Sequence, residues 1–270
     1  MTVNDYVRGE KKGAIFYLTL NRPEQRNAIT FEMVETISRM VEDLIVDPEV
    51  RVIIMKGEGK VFSAGVDFAS LAALVGRFMA DSAAGGASIR ADISRYQHYI
   101  NRLEAIEIPI ICAMQHRVLG LGLELTLACD IRLMSDDCLW SMPELKFGVV
   151  PDLGGTARLS RIVGASKAME ILMTGRMYTA AQALEFGLIN GVCPGASLLE
   201  EAEKMAGDII AMGPVAVGAV KRIVRGGDGI DLMTHLGMEV TLQSALLRGE
   251  DFQEGVKALM EGRKPDWKRR

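Results

Sequence analysis

The chain has 270 residues, of which 49% are hydrophobic and 6% aromatic, and its formal net charge is −4 at pH 7. That length allows one large core, or a core with an appendage, and the many small aliphatic residues favour a layered α/β protein. The acidic balance gives no electrostatic reason to expect a nucleic-acid partner, and the sequence has no apolar run near the roughly 20 residues of a membrane helix.

The N-terminal segment and the cysteines predict a cytoplasmic protein. Residues 1–6 have neither the basic segment nor the apolar stretch of a secretory signal. The cysteines lie in apolar segments without metal-like spacing, and the chain has only three histidines. We therefore expect no metal site and reduced core thiols at Cys112, Cys129, Cys138 and Cys193.

Short apolar runs and helical periodicity alternate through the first part of the chain. A strand is predicted at residues 14–20, and Thr30 is placed to cap a helix that ends near 47–48. The β-branched run at 50–56 predicts the best buried strand of the chain. This order of elements is typical of an α/β fold.

The middle of the chain continues the same alternation. A turn is predicted at residues 62–67, where Asp67 is placed to cap the following helix. Small and polar residues at 80–88 predict a mobile loop, and apolar residues at helical spacing through 93–103 predict a helix against the core. The later predicted elements are a strand at 108–114, a helix at 124–129 and a strand at 131–134.

From about residue 196 onward the sequence predicts helices only. Ser197 and Glu200 have the spacing of a capping box that would open a helix over residues 197–212. Three further helices are predicted from Pro214, over 230–247 and over 252–261. A helical tail of this kind on an α/β core often contacts a neighbouring subunit.

Three acidic residues stand beside glycine-bearing and apolar segments, namely Glu124, Glu144 and Asp152. Carboxylates in such surroundings are typical of a partly dry pocket in which acids are tuned to move protons. Each one also has a plain structural explanation, as a helix-dipole carboxylate, a first-turn acid or an N-cap. Their joint occurrence beside three glycine turns favours a proton-transfer site.

Two glycine turns, at residues 62–67 and 120–124, are candidates for binding an oxyanion. Glycines let backbone N–H groups approach a ligand, and the N–H groups at a helix start have no partner within the helix. Two such groups aimed at one point form an oxyanion hole, although either turn alone is common. The pair Gly120 and Gly122 is not a dinucleotide fingerprint, because the third glycine is missing and a glutamate follows.

Six segments together resemble the crotonase superfamily of enoyl-CoA hydratases and isomerases over nearly the whole chain, in a specific order and spacing. They lie at residues 20–28, 62–67, 120–130, 151–159, 180–188 and 250–255. The resemblance implies an α/β fold built as a crotonase spiral of ββα units. Residues 1–195 would form the core with the acyl-CoA site, and residues 196–270 a helical trimerisation region. A homotrimer, or a hexamer of two trimers, is implied.

The resemblance also implies that the substrate is an acyl-CoA thioester, with coenzyme A as part of the substrate and no separate cofactor. By position, the enolate oxygen would bind the backbone N–H groups of Val66 and Leu121, although many relatives have glycine in place of this leucine. The residues that would contact the substrate or its CoA portion are Arg26, Ala64, Val66, Asp67 and Phe68.

Two reactions stay open within the superfamily. Glu124 and Glu144 stand where hydratases place the two glutamates that add water to a 2-enoyl-CoA. Hydratases commonly have glycine at the position of Asp152, whereas dienoyl-CoA isomerases have an aspartate there. Those isomerases also have a long insert, which in this chain spans about residues 68–104 and contains Arg95-Tyr-Gln97. The resemblance therefore favours conversion of 3,5-dienoyl-CoA to 2,4-dienoyl-CoA, with Glu144 and Asp152 shuttling protons and Glu124 in support.

A third hypothesis is a crotonase-fold protein that binds an acyl-CoA thioester, or RNA, without catalysis. The three retained acids argue against an inactive site, and the acidic net charge argues against RNA. His98 and His116 are not expected to take part in catalysis. We expect an enzyme that binds its acyl-CoA substrate and copies of itself, with no nucleic-acid or membrane partner.

Overall fold

A computed structural model describes residues 5–80 and 85–268 of the chain. Its strands are β1 (Val7–Lys12), β2 (Ile15–Leu20), β3 (Val52–Gly57), β4 (Ile110–Met114), β5 (Arg117–Leu119), β6 (Ile131–Ser135), β7 (Leu139–Ser141), β8 (Tyr178–Thr179) and β9 (Gly191–Cys193). They form a six-stranded sheet, ordered β1-β2-β3-β4-β6-β9, and a three-stranded sheet, ordered β5-β7-β8.

The α-helices connect and cover these strands, so the expected α/β class is confirmed. They are α1 (Phe31–Asp43), α2 (Phe68–Ala80), α3 (Gly85–Ala105), α4 (Leu121–Leu127), α5 (Gly155–Val163), α6 (Ala165–Thr174), α7 (Ala180–Glu185), α8 (Leu198–Ile210), α9 (Pro214–Gly226), α10 (Leu232–Leu246) and α11 (Glu250–Glu261). No helix among residues 5–80 and 85–268 combines the length and apolar composition needed to cross a bilayer.

The large sheet is parallel except at its edge, where β1 pairs antiparallel with β2. Ile53 and Met55 of β3 belong to the main hydrophobic core, which includes Ile37 of α1, while Val52 lies in a second cluster with Ala202 of α8. Strands that are covered on both faces have nearly continuous apolar sequences, which explains why β3 and β4 are predictable from sequence.

Strand β1 has no counterpart among the predicted elements. Of its six residues, Val7 is buried and the other five are exposed. The sequence Arg-Gly-Glu-Lys-Lys that follows Val7 lacks an apolar alternation, and the strand forms through its antiparallel backbone pairing with β2. A charged edge strand of this kind cannot be recognised from hydrophobicity alone.

Two predicted helix starts are confirmed at the level of the capping atoms. The hydroxyl of Thr30 accepts the N–H of Met33 at 3.2 Å at the start of α1. One carboxylate oxygen of Asp67 accepts the N–H of Ser70 at 2.8 Å at the start of α2. Both bonds satisfy a backbone N–H that has no partner within the helix.

The capping box predicted at Ser197 is wrong, although α8 does begin at the next residue. A short 3-10 turn precedes the helix, and the hydroxyl of Ser197 donates to the carbonyl of Pro194 at 3.1 Å instead of capping α8. A reciprocal capping box is found at the start of α7, where Thr179 and Gln182 exchange side-chain and backbone bonds. Ser197 and Thr179 therefore have the same residue spacing to their candidate partners, and the preceding backbone decides at which of them a capping box forms.

The mobile loop predicted at residues 80–88 is wrong where the structure describes it. Residue 80 ends α2 and residues 85–88 open the 21-residue helix α3, while residues 81–84 lie outside the described residues. Glycine and serine lower helix propensity, but packing of the later turns overrides that preference. Ile100 and Leu103 provide this packing in the main core.

Residues 198–261 form the four predicted helices, but these helices differ in what they cover. Helix α8 buries Leu198, Ala202 and Ala206 against the large sheet. Helices α9, α10 and α11 expose large apolar side chains, including Val220, Val224, Met233, Val240, Leu259 and Met260. Apolar surface that is left open in one chain is typical of an association face.

Candidate active site

Backbone pairing brings the two predicted glycine turns together. The N–H of Ser63 donates to the carbonyl of Arg117, and the N–H of Leu119 donates to the carbonyl of Ser63, both at 3.1 Å. The segment that holds Ser63 therefore runs beside β5, which leads directly into α4. Gly122 permits this close approach, because a Cβ there would lie 2.7 Å from the Cβ of Ser63.

The N–H groups of Val66 and Leu121 are the predicted oxyanion donors, and both lie on these paired segments. Neither N–H donates to an acceptor within residues 5–80 and 85–268. Gly120 precedes α4 with φ +47°, a conformation that favours glycine, and lets the chain turn sharply from β5 into the helix. Two N–H groups without an acceptor among the described residues, on adjacent segments, are available for the predicted oxyanion hole.

Glu124 lies in the first turn of α4 and is only 3% exposed. Its Oε1 atom accepts the N–H groups of Leu153 at 2.9 Å and Gly155 at 2.8 Å. Burial, followed by the charge on Glu144, raises the pKa of Glu124 to about 8, and the two N–H bonds act in the opposite direction. Glu124 is therefore protonated through much of the neutral range.

Glu144 begins a short 3-10 helix (Glu144–Phe147) and is half-buried. Its carboxylate lies against the turn into α4, because a Cβ on Gly120 would lie 2.5 Å from Glu144 Oε1. The Oε2 atom is buried and has no hydrogen-bond partner within the described residues. Burial raises the pKa of Glu144, and the charge on Asp152 raises it further.

Asp152 has an exposed side chain at the rim of the same site, yet the surrounding protein is dense enough that desolvation raises its pKa. Its charge acts on both Glu124 and Glu144, which places the three carboxylates within electrostatic range of one another. The alternative that Asp152 caps the following helix is excluded, because Gly154 holds the N-cap position of α5. The structure thus brings together all three acids that the sequence singles out.

The predicted CoA contacts lie on and beside the loop that carries Val66. The N–H of Ala64 donates to the carbonyl of Arg26 at 2.9 Å, which places the exposed Arg26 side chain next to this loop. Asp67 has a structural role. The N–H of Ser70 lowers the pKa of Asp67, and the guanidinium of Arg22, which lies 3.0 Å away, lowers it further.

Phe68 is 61% exposed and contacts Phe147 edge to face, with ring centroids 5.4 Å apart. Phe147 belongs to the 3-10 helix that Glu144 begins, so the two rings connect the loop of Val66 to the segment of Glu144. Leu145, Val149 and Val150 extend this exposed apolar rim. The rim suits an apolar acyl group or the non-polar part of a CoA arm.

Two further residues reach the site through its backbone, and only Gln97, in the predicted insert, belongs to a segment that the sequence comparison of the two reactions uses. Gln97 of α3 donates its Nε2 to the carbonyl of Asp152 at 2.6 Å. Arg158 of α5 is 7% exposed and donates to the carbonyl of Leu153 at 3.1 Å. Arg158 falls inside a recognised segment, but nothing in the local pattern indicates that its charge is buried.

Comparison with known proteins gives a consistent result along the chain. A family model described as enoyl-CoA hydratase/isomerase matches residues 10–270. A Delta(3,5)-Delta(2,4)-dienoyl-CoA isomerase, peroxisomal, from Arabidopsis thaliana is 32% identical over 273 residues, covering 98% of both chains. An enoyl-CoA isomerase/hydratase of Mycosarcoma maydis is 31% identical over 260 residues, covering 93% of this chain and 91% of the relative.

A solved structure agrees with these sequence matches. The crystal structure of an enoyl-CoA hydratase from Bacillus anthracis superposes with a TM-score of 0.89 at 30% identity, covering 98% of this chain and 100% of that one. The crotonase-type fold and the superfamily resemblance expected from the sequence are thereby confirmed. The relatives carry both hydratase and isomerase names, so similarity alone does not choose between the two reactions.

Proposed function

We propose, from the premise that this chain belongs to the enoyl-CoA hydratase/isomerase family, that it converts 3,5-dienoyl-CoA to 2,4-dienoyl-CoA. The observation that carries the proposal is the pairing of Glu144 with Asp152. Burial raises the pKa of Glu144, and the charge on Asp152 raises it further, so the two acids are suited to divide the removal and the return of a proton between them.

The reaction requires a proton to move along the diene without net addition of any group. The N–H groups of Val66 and Leu121 would bind the thioester oxygen as negative charge develops on it. One carboxylate of the Glu144–Asp152 pair takes a proton from C2, which gives a trienolate with its negative charge spread over the thioester oxygen and over C2, C4 and C6. The other carboxyl then gives a proton to C6, which leaves double bonds at C2 and C4.

Glu124 has a supporting role in this proposal. Its pKa of about 8 keeps it neutral at neutral pH, so it adds no further negative charge beside Glu144 and Asp152. The N–H groups of Leu153 and Gly155 fix its orientation, which leaves its second oxygen free for the site. Enolate chemistry on a thioester uses positioned N–H groups and carboxylates, and we propose that no metal or separate cofactor takes part.

A 2-enoyl-CoA hydratase is the second candidate, and one observation favours it. Glu124 and Glu144 lie close enough for the charge of Glu144 to raise the pKa of Glu124, as a pair that orients one water would require. In that reaction Asp152 would be a bystander at the rim. The third candidate, a non-catalytic acyl-CoA-binding protein, is less favoured because all three acids are retained in electrostatic contact.

The assembly and compartment belong to the same proposal. We propose a homotrimer, or a hexamer of two trimers, held by the apolar faces of α9–α11, where Val220 and Val224 are 60% and 64% exposed. Four free cysteines, three of them buried, fit the reducing cytoplasm.

An ultraviolet assay with two substrates tests the reaction. With 3,5-dienoyl-CoA, growth of the longer-wavelength 2,4-dienoyl thioester band is expected. With 2-trans-enoyl-CoA, loss of the enoyl thioester band should be slow or absent. Rapid loss of the enoyl band with no diene isomerisation would replace the isomerase by the hydratase, and tight acyl-CoA binding with neither change would favour the non-catalytic protein.

A further inference from the structure

The segment 152–155 is the connection between Glu124 and Asp152. The N–H groups of Leu153 and Gly155 both donate to Glu124 Oε1. Asp152 immediately precedes Leu153, so a rotation of this backbone would move the side chain of Asp152 and the donors of Glu124 together. The geometry of two of the three acids therefore depends on one short stretch of chain.

Two side chains donate hydrogen bonds to the carbonyl groups of this stretch. Gln97 Nε2 donates to the carbonyl of Asp152 at 2.6 Å, and Arg158 Nη1 donates to the carbonyl of Leu153 at 3.1 Å. The peptide unit between Asp152 and Leu153 is consequently bonded at both ends, to Gln97 through its carbonyl and to Glu124 through its N–H. Hydrogen bonds in such a chain polarise and strengthen one another.

Arg158 is itself rigidly held. Its Nη2 donates to Asn101 Oδ1 at 2.5 Å and to Glu104 Oε2 at 2.8 Å, both on α3. Its Nε is buried without a partner within the described residues. The guanidinium lies so close over Gly154 that a Cβ at that residue would overlap it. Removing a guanidinium from water costs free energy. For Arg158 this cost is offset mainly by the contacts of its two terminal nitrogens.

We propose that Arg158 is a positioning residue that, together with Gln97, fixes residues 152–155 so that their N–H groups meet Glu124 and Asp152 stays in range of Glu144. Among the described residues, the hydrogen bonds of both side chains go to backbone carbonyls and to residues of α3, not to the carboxyl groups of the three acids, so we assign neither as a catalytic residue. The inference rests on the proposed function for the consequence in catalysis, whereas the contacts themselves are independent of it.

The physical consequence of losing Arg158 has a definite direction. The N–H bonds from Leu153 and Gly155 favour the ionised form of Glu124 and partly offset its burial. If the segment is released, these bonds weaken and the burial remains. The titration of Glu124 then moves to higher pH, whichever protonation state the reaction uses.

The test follows the carboxyl of Glu124 by carbon-13 NMR in protein labelled at the glutamate side chains, with the signal assigned by its loss in Glu124→Gln. The variants are Arg158→Met and Gln97→Met. Arg161→Met is the matched control, because Arg161 lies on the same helix, is exposed and pairs with Asp228 at 2.9 Å. No substrate is needed, so the result is independent of whether the isomerase assignment holds.

Both test variants are expected to raise the titration midpoint of Glu124 by about one unit, and Arg161→Met to leave it unchanged. If the protein is an isomerase, Arg158→Met should also lower kcat about 100-fold with a smaller change in KM, since displaced acids lose their alignment. If Arg158→Met does not fold, the titration midpoint of Glu124 in Gln97→Met decides the test, because Gln97 lies on a more open helix face. An unchanged midpoint in a folded test variant overturns the inference.

Discussion

Glu124 is 3% exposed while the side chain of Asp152 is open to solvent, and both act on the same small space. Burial is the largest cause of the raised pKa of Glu124, and the charges of its two neighbours add to it. An additional ionised carboxylate beside Glu144 would be costly, so the deeply buried Glu124 stays neutral at neutral pH. Burial also raises the pKa values of Glu144 and Asp152, the two less buried acids.

Glu124→Gln is expected to make stability less dependent on pH. Because the folded-state pKa of about 8 exceeds the ordinary value of 4.5, the protonated side chain stabilises the fold fully below pH 4.5, and this contribution is lost as pH rises through 8. Glutamine keeps the oxygen acceptor and has no proton to lose. We measure the unfolding free energy by urea denaturation. Between about pH 5 and about pH 9 it should fall by on the order of 1 to 4 kcal/mol more in the unmodified protein than in the variant.

Equal pH dependence in the two proteins would contradict the raised pKa of Glu124. Glu58→Gln provides a matched control, since its side chain is exposed and remote from the acid cluster in sequence. Its unfolding free energy should follow that of the unmodified protein at every pH.

Glu144→Gln and Asp152→Asn are each expected to lower kcat for diene isomerisation by about 100-fold to 10,000-fold, the usual contribution of one proton-transfer group. If the two act as one unit, the double variant should be little worse than either single variant. Steady-state kinetics with 3,5-dienoyl-CoA measures both effects, again with Glu58→Gln as control. Full activity of Asp152→Asn would remove this residue from the mechanism.

The sequence singles out each of the three acids, but it does not show which residues support them. Glycines and apolar neighbours single out Glu124, Glu144 and Asp152, and the resemblance gives each a role. Arg158 and Arg161 lie three residues apart on one helix, and nothing local shows that the first is 7% exposed and the second open to solvent. That difference arises from α3, which packs on one face of the helix.

The turn into α4 is the element on which the site geometry depends most directly. Gly120 has φ +47°, and its missing side chain leaves room for the carboxylate of Glu144. The same turn leads into Leu121, whose N–H has no acceptor within the described residues. One glycine therefore bears on both a proposed oxyanion donor and the position of a proposed catalytic acid.

Gly120→Ala is expected to lower kcat/KM for the dienoyl substrate by about 100-fold or more, because the new methyl group must displace Glu144. Gly187→Ala is the matched control: Gly187 also has a positive φ, +71°, but open space around it, so the variant carries backbone strain without a contact. By denaturation, Gly187→Ala should lose about 1 to 2 kcal/mol of stability and Gly120→Ala at least as much. Equal activity in the two variants would contradict the account of this turn.

Elements differ in how far the sequence determines them. Strands β2, β3 and β4 are predictable because their apolar runs are long and their neighbours cover both faces. Strand β1 is exposed and charged, and the two-residue β8 depends on its pairing with β7. The start of α3 follows from packing further along the helix, against the preference of its own small residues.

At the scale of the molecule, the helical C-terminal region combines two tasks. Helix α8 closes one face of the large sheet, and α9–α11 leave apolar side chains open. The sequence indicates helices there, and the resemblance supplies the expectation of trimers. Which side chains meet a second copy depends on helix orientation, which no local pattern contains.

The double variant Val220→Glu, Val224→Glu is expected to shift the protein from trimer or hexamer toward monomer, because charges on the exposed face of α9 would be buried without partners. Sedimentation velocity measures the change in mass. Val46→Glu is the matched control, since Val46 is 85% exposed and lies outside this face. Identical sedimentation of the unmodified protein, the double variant and the control would contradict the proposed association surface.

The central claim is that protons move along a diene and no water is added. The most direct measurement is the mass and the ultraviolet spectrum of the product formed from 3,5-dienoyl-CoA by the purified protein. The account predicts a product of unchanged mass that has the 2,4-dienoyl band, and loss of its formation in Asp152→Asn. No product from 3,5-dienoyl-CoA, together with a product heavier by one water that the protein and Asp152→Asn form equally well from 2-trans-enoyl-CoA, would contradict it.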